Sequence, residues 1–287
     1  MNRKLVTYSS ALLAALILAG VIAPVARADT AGTLDSYAKV AFAAPTTGPV
    51  NVLNPNTPDP TDPVTPTNPD GTTPSPGTSG PLSLDFVSSL DFGTHYVSSA
   101  DQTYYAAPQK ITDSGTGTTS YVPDYVQVTD NRGTFVGWKL SVHWDGQLRQ
   151  DATVDETTGA NAATGGVLTG SVLTMTGATA VAPDQANAGT APAVTDPITM
   201  GTADVTVMNA PANAGIGTWI DRFGADADYT PDDGTATIAD GTDASASGTA
   251  MTASPITLQV PGSTAKKTGT PYTTNLVWTL ADTPDTD

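Results

Sequence analysis

The sequence predicts an all-β protein: a single sandwich or barrel domain of Greek-key type with long loops, preceded by a proline-rich linker. Two observations predict this class. Short segments of alternating apolar and polar residues recur between turn signals, and no long segment has the 3.6-residue period of an amphipathic helix. The two segments that alternate most clearly share the tripeptide Trp-x-Leu, once at Trp138 and Leu140 and again at Trp278 and Leu280.

These two segments predict neighbouring strands of one core. Residues 134–144 and 272–284 each place their large apolar side chains on one face. The residues on these faces are Val136, Trp138, Leu140, Val142 and Trp144 in the first segment and Leu276, Trp278 and Leu280 in the second. A tryptophan on such a face either packs in the core or lines a ligand-binding surface. The candidate ligand-binding residues are Trp138, Leu140, Trp278 and Leu280, together with Trp144 and Trp219.

The first 28 residues have the features of a signal peptide. Arg3 and Lys4 precede an apolar stretch over residues 11–22, and Ala26-Arg27-Ala28 has the small-x-small form of a cleavage site. The alternative is a retained N-terminal anchor. No later apolar run approaches spanning length, so we expect a secreted, extracellular mature chain that begins at Asp29 and has no membrane span.

Two segments separate the predicted signal peptide from the domain. Residues 29–44 contain a short alternating stretch, residues 36–44, with Ala38, Val40 and Phe42 on one face, which predicts a strand. Residues 45–80 are rich in Pro, Thr and Asp, a composition that is typical of an extended spacer. The spacer either tethers a separate tail or returns the first strand to the main sheet, and we favour a spacer that lets residues 36–44 pair with the domain.

Residues 81–287 form the predicted β domain. Strands are predicted from alternation and from Thr-, Val- and aromatic-rich composition. Besides the two segments already described, they are expected over residues 82–87, 104–105, 121–128, 165–180, 198–209, 217–223 and 256–260. One or two short helices are expected in the loops.

Composition excludes several classes of function. The chain has 11 basic and 28 acidic residues, a net charge of −17. The predicted cleavage removes three of the basic residues and no acidic residue, which leaves a net charge of −20. Binding to a bare nucleic-acid backbone is therefore not expected. The chain has no cysteine, so no disulfide supports the fold, and with only two histidines it offers no zinc-ligand spacing.

The sequence carries no recognisable catalytic motif, and we predict a non-enzymatic protein without a cofactor. The acidic residues are Asp with the single exception of Glu156. Asp226, Asp228, Asp232 and Asp233 are candidate calcium ligands, although their spacing does not fit an EF-hand loop. The alternative is that this segment is a solvated acidic loop.

The chain resembles the WxL-domain surface cell-wall-binding proteins of low-GC Gram-positive bacteria. Its two Trp-x-Leu strands, the second near the C-terminus, lie among further matching motifs. These are Gly80-Pro81-Leu82-Ser83, Leu90-Asp91-Phe92-Gly93, Asp101-Gln102-Thr103-Tyr104, Gly137-Trp138-Lys139-Leu140, Val260-Pro261-Gly262 and Leu276-Val277-Trp278-Thr279-Leu280. The resemblance covers nearly the whole of the predicted mature chain.

This resemblance implies non-covalent binding to the peptidoglycan of the Gram-positive cell wall by a non-enzymatic surface protein. It also implies that other WxL proteins and membrane-anchored proteins with a DUF916 domain are partners. Two alternatives remain open: a structural or interaction subunit whose Trp-x-Leu strands bind a partner protein, and an adhesin for host matrix.

Overall fold

The computed structural model describes residues 36–45, 50–150, 166–185, 188–231 and 250–285. Its contacts divide the chain into two units, Met1–Phe42 and Ala43–Asp287. Residues 36–45 have no regular secondary structure. The predicted strand over residues 36–44 is therefore not formed in the isolated chain, because an alternating sequence becomes a strand only when a partner takes up its backbone hydrogen bonds.

The described residues are almost entirely strands and loops. They contain seventeen strands and one short 3₁₀ helix, Asp226–Asp228, and no α-helix occurs among them. The strands are β1 (Val64–Thr67), β2 (Leu82–Val87), β3 (Gln102–Tyr105), β4 (Gln109–Asp113), β5 (Thr119–Val122), β6 (Tyr125–Asp130), β7 (Trp138–Trp144), β8 (Val172–Met175), β9 (Ala178–Val181), β10 (Ala193–Val194), β11 (Ile198–Thr199), β12 (Val205–Ala210), β13 (Gly217–Phe223), β14 (Thr230–Pro231), β15 (Met251–Ala253), β16 (Ile256–Val260) and β17 (Leu276–Ala281).

The strands form four antiparallel sheets. Sheet I has the order β1-β4-β5, sheet II β2-β6-β13-β9, sheet III β10-β12-β7-β17 and sheet IV β11-β8-β16-β3-β15-β14. Many neighbours are distant in the chain, as in the pairing of β7 with β17. This confirms the all-β class and its resemblance to sandwich and barrel folds.

Two apolar clusters hold the sheets together. The main core lies among sheets II, III and IV and includes Val128, Trp138, Leu140, Trp219 and Ile256, all at most 2% exposed. The opposite face of sheet II packs on sheet I to form a second cluster. Its members are Leu53, Val64, Phe86, Ile111, Val122, Tyr125 and Ile220. Sheet II is thus covered on both faces, which explains the fully buried sequence of β6.

Part of the predicted spacer belongs to the fold. Leu53 is 2% exposed, and its backbone N–H donates to Gln127 Oε1 at 2.9 Å. Strand β1 pairs with β4 although it contains Pro66. The spacer prediction is therefore wrong for these residues. Strand β1 can contain a proline because it lies at the edge of sheet I, where a residue that donates no hydrogen bond is tolerated.

The strand prediction is accurate to the residue for some strands and not for others. Strands β2, β13 and β16 have the predicted bounds. By contrast, β7 begins at Trp138 and not at residue 134. Phe135 and Gly137 have φ values of 59° and 86°, and this left-handed backbone cannot continue a strand.

Candidate functional site

The two Trp-x-Leu strands are direct neighbours. In the antiparallel pairing of β7 and β17, Leu280 lies opposite Leu140 and Trp278 lies opposite Val142. Residues opposite each other share a face, so both tripeptides contribute to the same apolar face of sheet III. This confirms the prediction that the two strands lie close together.

Trp138 and Leu140 lie at the centre of the main core. Both are 0% exposed. The Trp138 indole N–H donates to the carbonyl oxygen of Gly215 at 2.9 Å. Gly215 has φ +66°, and a Cβ there would lie 2.7 Å from Trp138 Nε1, so the ring fits against bare backbone. With its apolar surface buried and its one donor satisfied, Trp138 is a packing residue.

Trp144 and Trp219 are buried in the same core. Trp144, on the same face of β7, is 5% exposed, and Trp219, on β13 of sheet II, is 2% exposed. The Trp219 indole N–H donates to the carbonyl oxygen of Ile216 at 3.1 Å. In this structure neither ring is available to a ligand.

Trp278 and Leu280 differ from the other candidates because β17 is the edge strand of sheet III. Both side chains pack against the main core but are only half-buried. They line an open groove of about 380 Å³. The residues around it include Thr78, Leu82, Leu84, Trp278, Leu280 and Asp282. Of the six candidates, these two are the ones that a ligand can reach.

The other wall of the groove is β2, the edge strand of sheet II. Thr78 lies along part of this edge: its backbone N–H donates to the carbonyl oxygen of Leu84, and its hydroxyl oxygen accepts from the Leu84 N–H, both at 2.8 Å. The groove therefore separates the edges of two sheets, and its lining combines apolar side chains with polar groups such as Thr78 and Asp282.

Arg132 joins the strand ends beside the groove. Its guanidinium forms a two-point ion pair with Asp130, through Nε at 2.9 Å and Nη2 at 2.8 Å, which raises its pKa. It also donates to the carbonyl oxygens of Gly137 at 2.6 Å and Asp282 at 3.4 Å. These contacts connect the end of β6 with the start of β7 and the end of β17. No sequence motif had singled out this residue.

A small cavity of about 10 Å³ lies on the core side of Trp278. Its lining includes Leu276, Trp278 and Asp124. Asp124 is 1% exposed, and burial raises its pKa well above the usual value, against the opposing effect of the Ser88 and Tyr229 hydroxyls. The volume is enough for about one water molecule, so this is a packing feature and not a ligand site.

The opposite face of the Trp-x-Leu strands is polar. Lys139 Nζ forms an ion pair of 2.6 Å with Asp285, which lowers the pKa of that carboxyl group. Asp285 also accepts from the Thr206 hydroxyl at 3.0 Å and donates its backbone N–H to Asn209 Oδ1 at 3.0 Å. The residues after β17 are thereby held across the outer face of sheet III.

Two of the four calcium candidates, Asp226 and Asp228, are engaged in hydrogen bonds within the protein. Asp226 Oδ1 accepts from Asn56 Nδ2 at 2.8 Å, and Asp228 Oδ2 accepts from the Ala225 N–H at 2.8 Å. Asp232 and Asp233 lie outside the described residues. Among the residues that are described, no group of three or more His, Cys, Asp or Glu side chains has a metal-binding arrangement.

Comparison with known proteins identifies one family. The family model for the WxL domain, described as surface cell wall-binding, matches residues 29–284. No curated protein and no solved structure gives a significant match. In the described part of the chain, no helix is long and apolar enough to cross a membrane.

Proposed function

Because the chain belongs to the family of WxL-domain surface cell wall-binding proteins, we propose that it is exported and binds peptidoglycan non-covalently, without catalysis. The observation that carries the proposal is the half-buried pair Trp278 and Leu280 beside an open groove. We propose these two residues as the wall contact.

The position of Trp278 supports this assignment. An aromatic ring that is held on one side by the core and open on the other offers a flat surface to a sugar ring or to an apolar peptide group. The other tryptophans considered above, Trp138, Trp144 and Trp219, are at most 5% exposed. The proposed contact therefore includes two of the six candidate residues predicted from sequence.

The composition of the groove supports a binding role rather than hydrolysis. Of the six groove residues named above, Asp282 alone is ionisable. Hydrolysis of a glycosidic bond ordinarily uses two carboxyl groups on either side of the scissile bond.

A second candidate function is that of an interaction subunit. The edge position of β17 favours it, because an edge strand can accept a further strand from another protein. In this case the partners are other WxL proteins or membrane-anchored proteins with a DUF916 domain, and retention on the wall is indirect.

The test is sedimentation of the purified exported protein with protein-free peptidoglycan. We expect direct retention of the wild type and loss of retention in Trp278→Ala, with Val277→Ala as the matched control. Val277 lies on the opposite face of β17 and is 39% exposed. Thermal melting of each variant separates lost binding from lost folding. Retention that appears only after a partner protein is added would favour the interaction subunit, and normal retention of a folded Trp278→Ala variant would remove Trp278 from the contact.

A further inference from the structure

The outer edge of β17 carries free backbone groups. The Trp144 N–H donates to Gly201 on the β12 side, whereas the Asp145 N–H donates to Asn275 on the β17 side. Backbone groups alternate in direction along a strand, so Leu276, Trp278 and Leu280 direct their N–H and C=O groups away from β7. Within the described ranges, β17 pairs with β7 alone.

The side chains of the same three residues form apolar surface that is only partly covered. Leu276, Trp278 and Leu280 are half-buried, and the groove continues from them to Leu82 and Leu84 on β2. A strand added along β17 would satisfy the free backbone groups and cover this surface together. A glycan has no regularly spaced N–H and C=O groups to pair with the edge of β17, whereas an extended peptide has them.

Residues 36–44 have the complementary properties. Their sequence alternates, with Ala38, Val40 and Phe42 on one face, yet they form no strand. Val40 is 74% exposed and Phe42 is 93% exposed. Large apolar side chains at such exposure in an alternating segment indicate a strand that lacks its partner. The segment has nine residues and β17 has six, about 30 Å and 20 Å of extended chain, so it can span the whole edge.

We infer that residues 36–44 of one molecule add as an extra strand to β17 of a second copy, with Val40 and Phe42 packing over the groove. Donor and acceptor are different surfaces, so the contact is head-to-tail, and repetition of it produces open chains or closed rings. After the predicted cleavage each copy has 8 basic and 28 acidic residues, a net charge of −20, so repulsion between copies opposes assembly at low ionic strength and is screened at physiological salt. The added strand would cover the groove that we propose as the wall contact, so the two roles exclude each other on one molecule, and self-association is therefore measured without wall material.

The first experiment measures the mass of the purified exported protein by light scattering over a range of concentrations at 0.15 M salt, a condition with a Debye length of about 8 Å. We expect the mean mass to rise steadily with concentration. The donor variant Val40→Asp/Phe42→Asp should weaken self-association by about tenfold or more. Its control, Tyr37→Asp/Ala41→Asp, adds the same charge to the other face of the segment and should associate as the wild type does. A wild type that stays monomeric, or a donor variant that still assembles, overturns the inference.

The second experiment tests the head-to-tail geometry. The acceptor variant Leu280→Asp keeps its donor segment, and Thr279→Asp is its control on the exposed face of β17. Each of the donor and acceptor variants should be monomeric alone, and their mixture should form a 1:1 complex that does not grow. If this mixture forms no complex, the inference is wrong.

A synthetic peptide of residues 36–44 keeps the inference testable if Leu280→Asp fails to fold. A labelled peptide should bind the donor variant, whose groove is intact, and a peptide with Asp at positions 40 and 42 should not. Equal binding of both peptides overturns the inference. Protection of residues 36–44 from hydrogen exchange that does not depend on protein concentration also overturns the inference, because it indicates that the segment pairs within one molecule.

Discussion

Replacing each tryptophan of the two tripeptides by alanine should have clearly different effects on stability. Trp138 is 0% exposed, whereas Trp278 is half-buried at a sheet edge. A buried tryptophan removes about 150–250 Å² from water, which at about 25 cal/mol/Å² corresponds to about 4–6 kcal/mol. We therefore expect Trp138→Ala to cost about 4–5 kcal/mol of unfolding free energy, within the range of measured large-to-small core substitutions.

The hydrogen bond of Trp138 can be measured separately. Trp138→Phe keeps most of the apolar ring but leaves the carbonyl oxygen of Gly215 without its donor. We expect a cost of about 1–3 kcal/mol for this variant, most of it from the unpaired buried carbonyl. Trp278 is partly exposed, so Trp278→Ala removes less buried surface than Trp138→Ala and should cost about 3–4 kcal/mol.

Urea denaturation followed by circular dichroism gives the free energy of unfolding of each variant, provided that the slope m stays constant. The expected order of cost is Trp138→Ala, then Trp278→Ala, with Trp138→Phe comparable to or below the latter. A Trp138→Ala variant within 1 kcal/mol of the wild type, or less affected than Trp278→Ala, would refute the assignment of Trp138 to the core.

Three further predictions concern charge. Arg132→Met should lower stability by about 3–5 kcal/mol in urea denaturation, because it leaves the 4%-exposed carboxylate of Asp130 without its counter-charge. A double variant with Asp130→Leu that is no more stable than Arg132→Met would contradict this. Burial raises the pKa of Asp221 to about 8, so the folded state holds a proton that the unfolded state releases near pH 4, and stability should fall as pH rises from about 4 to about 8. Asp221→Asn should flatten that dependence in melting curves, and an unchanged slope would contradict the assignment. Peptidoglycan binding should stay level or strengthen as salt rises from 0.01 M to 0.15 M, because screening shortens the reach of repulsion from about 30 Å to about 8 Å; steep loss in sedimentation would point to a basic contact instead, with Lys266 and Lys267 as candidates.

Local sequence determined most of the strands. Strands β2, β13 and β16 have the bounds that alternation and strand-forming composition predicted, although β2 contains a bulge between Leu84 and Phe86. Strand β1 was missed because its proline is acceptable only at a sheet edge, and an edge position is not visible in the sequence. The predicted strand at residues 36–44 did not form, because the pattern states a preference but cannot supply a pairing partner.

At the candidate site, too, the sequence determined one part and the tertiary structure the other. The sequence alone determined that the two Trp-x-Leu tripeptides place Trp and Leu on one apolar face, because alternation is a local property of an extended chain. Only the tertiary structure decided their different environments. Strand β7 has neighbours on both sides, so Trp138 and Leu140 are buried, whereas β17 lies at the edge and leaves Trp278 and Leu280 beside a groove. The order of strands in a sheet depends on contacts between distant parts of the chain, and so identical tripeptides acquire different roles.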